Sequence, residues 1–418
     1  MAPRPGRRHY IYLVPGFFGF ANLGDLAYFG HVRDALAAAL AARGVRAELY
    51  VVATLPTASL RRRAARLAET IAATAGRDAP VHLVGHSSGG IYARLVVAPD
   101  VTLGTDAPVA RLAARVASVV TVATPHYGTP VASFFASLLG QRLLALLSLA
   151  TMRVLRSGRL PLAVLLRLGG LFAELDRLAG RRIALFDQLM SQLLGDFSFV
   201  RRRAVDRLFR EMGEDQSLLV QLAPESMDLL NAVLHDRPGV RVGSVVTSAR
   251  RPGVGSTLAA GLDPSSHATH AIYVALAGLA AAVPRGWDPP ATRVQAAALR
   301  GAYGAMPPPQ ANDGLVPTRA QVWGEVIRAV RADHLDVIGH FHDPQREPPH
   351  YDWLTTGSGF DAAAFAGVWD AVAGFLAGTA GASPTAARGR VARAAGAVHS
   401  DPARIPAIRG RGQVGEGR

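Results

Sequence analysis

The chain has 418 residues, half of them hydrophobic and 18% charged, which excludes a disordered protein and leaves room for one long domain or two smaller ones. It has no cysteine, so disulfides and thiolate metal sites are excluded. The formal charge of +14 comes from 45 basic residues that are all arginine, scattered rather than clustered and accompanied by no helix-turn-helix or RNA-binding signature. The excess therefore reads as compositional bias, and no nucleic-acid partner is expected.

Along the chain, strand and helix alternate for the first 130 residues. Arg7 and Arg8 precede an apolar run from Tyr10 to Phe20, but Pro15, Gly16 and Gly19 break it and no small-residue cleavage site follows. It reads as a first buried strand, Tyr10 to Val14, and its turn, which places the chain in the cytoplasm. A helix over Leu26 to Arg43 stops at Gly44, and a strand follows over Glu48 to Val52. Leu60, Ala64, Leu67 and Ile71 recur at helical spacing. Val81 to Val84 is a strand, Ile91 to Val97 a helix and Val116 to Val122 a strand. This alternation implies a parallel sheet covered on both faces.

The rhythm breaks at Pro130. Leucine-rich helical segments follow over Ser133 to Ser148, Leu160 to Leu178, Ile183 to Leu194 and Ser217 to Leu234. An insertion this apolar must pack on something, and it reads as a cap or lid that contributes to the substrate pocket and makes transient contact with a lipid surface. Val240 to Thr247 returns as a strand. The stretch Arg250 to Gln310 reads as loop-rich, with one apolar helix near Ala271 to Val283, whose 13 residues are too few to span a bilayer. Arg319 to Arg331 and Asp361 to Leu376 read as helices. The division is thus 1–130 and 236–377 for two parts of one core, 131–235 for the insertion and 378–418 for a disordered tail.

The chemistry centres on Val81-His82-Leu83-Val84-Gly85-His86-Ser87-Ser88-Gly89-Gly90. Gly85-x-Ser87-x-Gly89 lies between a strand and a helix, the context of a nucleophile elbow. A serine hydroxyl is a poor nucleophile until a base removes its proton. In such folds the acid and the base follow later in the chain. Asp313, in Asn312-Asp313-Gly314-Leu315-Val316, suits the acid, and His334 suits the base. Asp263 and Asp288 are rival acids; His340, His342 and His350 are rival bases. An oxyanion needs two amide donors, and the backbone N–H groups of Ser88 and Phe17 are placed to supply them. His86 and His126 read as packing residues.

These blocks, with Leu13 to Gly19, Thr124-Pro125-His126-Tyr127-Gly128 and His334-Leu335-Asp336, resemble the bacterial true lipases, the triacylglycerol lipases of the Pseudomonas and Burkholderia type. The resemblance implies an α/β-hydrolase fold, a mostly parallel sheet with helices on both faces and a large helical insertion. It implies Ser87, Asp313 and His334 as nucleophile, acid and base, Phe17 and Ser88 as oxyanion donors, and hydrolysis of esters with apolar acyl chains through an acyl-enzyme, with no cofactor for the chemistry. The substrate is then a small-molecule or lipid ester. Acyl transfer on the same three residues and a non-catalytic lipid-binding role are the alternatives. The resemblance also implies a structural calcium near the histidine, with Asp336 matching one carboxylate ligand and Asp288 a candidate for the second.

Overall fold

The computed structural model describes residues 8–17, 28–54, 57–76, 79–157, 160–173, 188–189, 215, 217–343 and 352–380. Residues 381–418 of the expected tail, most of the helix Ile183 to Leu194 and the rival base His350 lie outside them, while 378–380, also assigned to the tail, continue the helix Ala362–Ala380. Six strands form one sheet in the order β2-β1-β3-β4-β5-β6: β1 His9–Val14, β2 Ala47–Val51, β3 Val81–His86, β4 Val116–Val122, β5 Arg241–Thr247 and β6 Glu325–Val330. All neighbouring pairs are parallel.

Period-2 alternation sends side chains to both faces. Tyr12 and Val14 of β1 point into a core with Leu83 and Val119, covered by α2 (Leu60–Thr74) and α3 (Ser88–Val97). Ile11 and Leu13 point the other way, into a core with Val120 and Val245, covered by α1 (Gly30–Ala42) and a closing helix Ala362–Ala380 through Phe365, Val368 and Trp369. A strand buried on both faces is mostly apolar, as β4 is, and its two polar side chains, Ser118 and Thr121, lie within hydrogen-bond distance of His82 and His126. Between β3 and α3 the backbone reverses at Ser87, whose φ is 55°. A parallel sheet with a serine on so sharp a strand-to-helix turn is the α/β-hydrolase arrangement.

After β4 the described residues contain helices and no strand until β5: α4 (Val109–Ala113) precedes β4, and α5 (Pro130–Phe135), α6 (Leu138–Ser157), α7 (Leu162–Ala173), α8 (Ser217–Gln221) and α9 (Pro224–Val233) follow it. Leu143, Leu147, Leu165 and Leu168 of α6 and α7 bury themselves in a third core. Among the described residues no helix is long and apolar enough to cross a membrane.

Two expectations fail between β5 and the end. The stretch 250–310 carries three helices, α10 (Val254–Ala259), α11 (Pro264–Ala280) and α12 (Arg293–Tyr303), rather than one. Helix α12 opens on a capping box between Thr292 and Gln295. Arg319 to Arg331 is not a helix: a 3₁₀ turn at Thr318–Gln321 is followed by β6. Gly324 sits at φ +64°, where the helix cannot continue, and a Cβ there would lie 2.2 Å from the carbonyl oxygen of Val242. Beyond it Val326 packs toward Leu299 of α12, while Ile327 packs toward the closing helix, α13. Partial burial on both faces of an edge strand gives apolar spacing that also fits a helix.

The sheet also buries a histidine pair. His9 Nδ1 and His82 Nε2 are 2.8 Å apart, and His82 Nδ1 lies 2.8 Å from Ser118 Oγ. Burial, then the neighbouring His9, pushes the His82 imidazole down to about 3. In the unfolded chain it titrates near 6.5. Between these values the unfolded chain takes up a proton that the folded chain refuses, so folding is favoured fully above pH 6.5 and progressively less below it. One such group contributes a slope of at most about 1.4 kcal/mol per pH unit. Urea midpoints at pH 7 and pH 4.5 should fall with pH in the native chain and fall less in His82→Gln; equal slopes would show that the pair does not titrate on unfolding.

Candidate active site

The elbow explains its glycines by contact rather than by habit. A Cβ on Gly85 would lie 2.4 Å from the amide nitrogen of Gly90, and one on Gly89 would lie 2.2 Å from the carbonyl oxygen of Val14. Helix α3 therefore starts pressed against β1 and β3, and Ser87 is forced into a conformation that costs a non-glycine residue on the order of 1–3 kcal/mol. Its side chain is about nine-tenths buried. Gly16, in the turn after β1, approaches from the other side: a Cβ there would lie 2.5 Å from Ser87 Cβ. Phe17 follows in that turn, and Ser88 is the first residue of α3, whose N–H has no partner four residues back.

His334 and Asp313 meet from two loops. The loop after β6 holds His334, and the Asn312–Pro317 bridge ahead of the 3₁₀ turn holds Asp313. His334 Nδ1 is 2.9 Å from Asp313 Oδ2, and both residues are buried. The His334 N–H also donates to the carbonyl of Asp313 at 2.9 Å. The carboxylate accepts four further bonds: from the Thr247 hydroxyl (2.7 Å), the Gln321 amide (3.1 Å), and the backbone N–H groups of Leu315 (3.0 Å) and Val316 (2.7 Å). A carboxylate that only accepts requires the proton on Nδ1, which leaves Nε2 of His334 as the basic nitrogen.

Ser87, His334 and Phe17 line one cavity of about 70 Å³, with Val131, Phe135 and Leu222 among its apolar walls. A second apolar cavity of about 60 Å³ shares Tyr28, Phe135, Leu315 and Leu335 with it and is lined further on by Trp353 and His340. A larger recess of about 530 Å³ opens among Arg61, Arg62 and Arg66, but it contains none of Ser87, Asp313 and His334.

The rivals are elsewhere. Asp263 caps α11, accepting from the N–H of Ser266 at 2.9 Å. Asp288 is exposed and ion-paired with Arg319. His340 lines the second cavity and His342 is exposed. His126 is buried between Thr121, 3.1 Å from its Nε2, and Arg94, 3.1 Å from its Nδ1, and stacks on Trp323. Thr247 and Gln321, which hold the aspartate, escaped the sequence reading. Gln321 falls in the stretch Arg319 to Arg331, whose spacing suggests a helix that does not form, and Thr247 stands in the sequence only as the end of a strand.

The acidic group near His334 is also not the one expected. Asp336 does not meet Asp288, whose carboxylate is held by Arg319 at the surface. Its neighbours are Asp333 and Asp352, and one oxygen of each of the three lies within 4.8 Å of the others. Asp333 and Asp336 are almost fully buried. Burial first, then mutual repulsion, holds both carboxyls well above the ordinary range and that of Asp352, through burial, at about 6. Asp333 Oδ1 accepts from Leu335 and Asp336, and Asp336 Oδ2 accepts from Asp333 and Ser358, but Asp333 Oδ2 is buried with no partner. An orphaned carboxylate oxygen beside two more carboxylates fits a hard divalent cation such as calcium.

No protein-family model matches the chain, and no curated protein matches its sequence. Among solved structures it is similar to lipase 1 from Pelosinus fermentans, at 17% identity over 88% of this chain and 99% of that one, with a TM-score of 0.48. It is also similar to the Staphylococcus hyicus lipase, at 15% identity over 91% and 98% with a TM-score of 0.47, and to EstA from Clostridium botulinum, at 18% identity over 86% and 88% with a TM-score of 0.46.

Proposed function

We propose that the protein is a serine ester hydrolase of the bacterial lipase type acting on carboxylic esters with apolar acyl chains. What supports this reading above all is that one apolar cavity is lined both by a serine on a strained turn and by a histidine whose Nδ1 is engaged by a buried, fully bonded aspartate.

The chemistry follows from that arrangement. Nε2 of His334 takes the Ser87 proton as Oγ attacks the ester carbonyl, and the Asp313 carboxylate stabilises the imidazolium. The carbonyl oxygen gains a negative charge, which the N–H groups of Phe17 and Ser88 receive. Collapse expels the alcohol, protonated by His334, and leaves an acyl-serine. Water, deprotonated by His334, then attacks and releases the acid. A p-nitrophenyl ester series from acetate to palmitate tests the reading, together with labelling by an active-site phosphonate. Turnover of at least one ester and a phosphonate adduct on Ser87 are expected; a protein that cleaves none and stays unlabelled removes the reading.

Asp333, Asp336 and Asp352 hold a calcium ion whose part is structural: it ties the residues just after His334 to the segment around Asp352. The chain's contacts with lipid surfaces run through the helices after Pro130. Saturating calcium should raise the thermal midpoint of the native chain by about 3 °C, since binding at a hundredfold excess over Kd contributes about 2.7 kcal/mol. Asp352→Asn should abolish the response. A midpoint unmoved by calcium or chelator in both proteins eliminates the site.

A further inference from the structure

The turn after β1 and the loop that carries His334 are far apart in the chain, yet one line of hydrogen bonds joins them. The N–H of Gly16 donates to the Tyr28 hydroxyl at 3.3 Å. The Tyr28 oxygen lies 2.6 Å from Nδ1 of His86, and Nε2 of His86 lies 2.9 Å from the carbonyl oxygen of His334. Chemistry fixes every direction in this line. A carbonyl only accepts, so Nε2 of His86 carries the proton. In the neutral ring Nδ1 is then bare, so the Tyr28 O–H donates to it. The Tyr28 oxygen in turn accepts from Gly16.

Both side chains of the line, Tyr28 and His86, are buried, as is His334. Burial, and then the His334 ring beside it, hold His86 well below the ordinary histidine range, so the neutral form that the line requires persists. The two rings lie 4.7 Å apart.

The same turn is held from its other side. Arg63 Nη2 donates to the carbonyl oxygens of Gly16 (2.7 Å) and Pro15 (3.2 Å) and to Thr54 Oγ1 (2.9 Å). In a trans peptide the Gly16 carbonyl and the Phe17 N–H lie in one plane and point in opposite directions. Fixing the two Gly16 groups therefore fixes the direction of the Phe17 N–H. Gly16 itself abuts Ser87.

We infer that Tyr28 and His86 are positioning residues, a relay that registers the oxyanion turn against the backbone of the base before substrate arrives. The inference rests on the ester hydrolase reading. Neither residue moves a proton in the reaction; each acts through a group it holds. The relay also explains why a histidine stands directly before Ser87 while its ring is spent elsewhere.

Two substitutions test it. Tyr28→Phe removes one oxygen and keeps the ring that lines both cavities. His86→Gln keeps a donor for the His334 carbonyl, but its amide oxygen is carried one atom further from the backbone than Nδ1 and no longer stands where Tyr28 bonds. Each should lower kcat about tenfold with KM within twofold. Affinity for an alkyl boronic acid, which reproduces the tetrahedral oxyanion, should weaken by the same factor as kcat. Because both changes break one line, the double variant should be no slower than the slower single variant. Single variants within twofold of the native kcat, effects that multiply in the double variant, or a loss confined to KM would each overturn the relay. Should His86→Gln not fold, kcat and boronate affinity in Tyr28→Phe decide alone. A failure of the parent reading looks different: Ser87→Ala would then cleave esters as fast as the native chain.

Discussion

Ser87→Ala will fold like the native chain and cleave esters at least roughly a thousandfold more slowly. The alanine keeps the backbone at φ 55° and removes only the oxygen that faces the cavity, so the turn, the helix behind it and the pressed contacts at Gly85 and Gly89 are retained. What disappears, on the proposed mechanism, is the two-step route. Without an acyl-serine, water must attack the bound ester directly, aided only by the amide donors and by His334. The comparison is kcat/KM on the best ester of the series, with circular dichroism and the thermal midpoint as the control on folding. Equal rates in the two proteins would remove the nucleophile.

Asp313→Asn should cost roughly 10⁴-fold in kcat. Its oxygens face five donors, three of them on the Oδ2 side. An amide places an NH₂ where one of those oxygens stood, so whichever way it turns, N–H meets N–H or O–H. Turned toward His334, the amide invites the imidazole to present its bare nitrogen, leaving the proton on Nε2 where it blocks the serine. Turned toward Leu315 and Val316, it leaves two buried N–H groups unpaired, at about 1–3 kcal/mol each. Activity and urea midpoint should both fall. A variant within tenfold of native kcat would show that the imidazole does not depend on this carboxylate.

Much of this architecture could be read before any coordinates. Five of the six strands announce themselves as short β-rich runs between turn residues, most plainly the inner strands β1, β3 and β4, which are buried on both faces and therefore mostly apolar. The sixth does not: Glu325 and Arg328 interrupt its run, and the alternation that remains fits a helical stripe as well as an edge strand. Gly324 was the available signal, since a helix through it needs a reason. The capping box at Thr292 was a second, and it marks α12. The site divides in the same way. Ser87, Asp313 and His334, which the fold brings to one place, sit in local patterns that point to the proposed chemistry. Thr247, Gln321 and Tyr28 do not, because each matters only through a partner that the fold brings from elsewhere. The acidic group failed for this reason too. Asp352 is joined to Asp336 by tertiary packing, and Asp288, an equally plausible carboxylate on paper, is neutralised by Arg319.

The pairing of β4 with β5 sets Val119 opposite Val242, with every helix from α5 to α9 strung between them. Closing so long a loop must come before the pairing yields any favourable contact, and each other rung of this sheet is also non-local. Such a topology is expected to refold slowly, with the local contacts of the leucine-rich helices forming before the non-local strand pairings. His334 and Asp313 lie beyond that closure and Ser87 before it. Regain of turnover during refolding should therefore lag behind regain of helical signal, making enzymatic competence the slowest clock the chain carries.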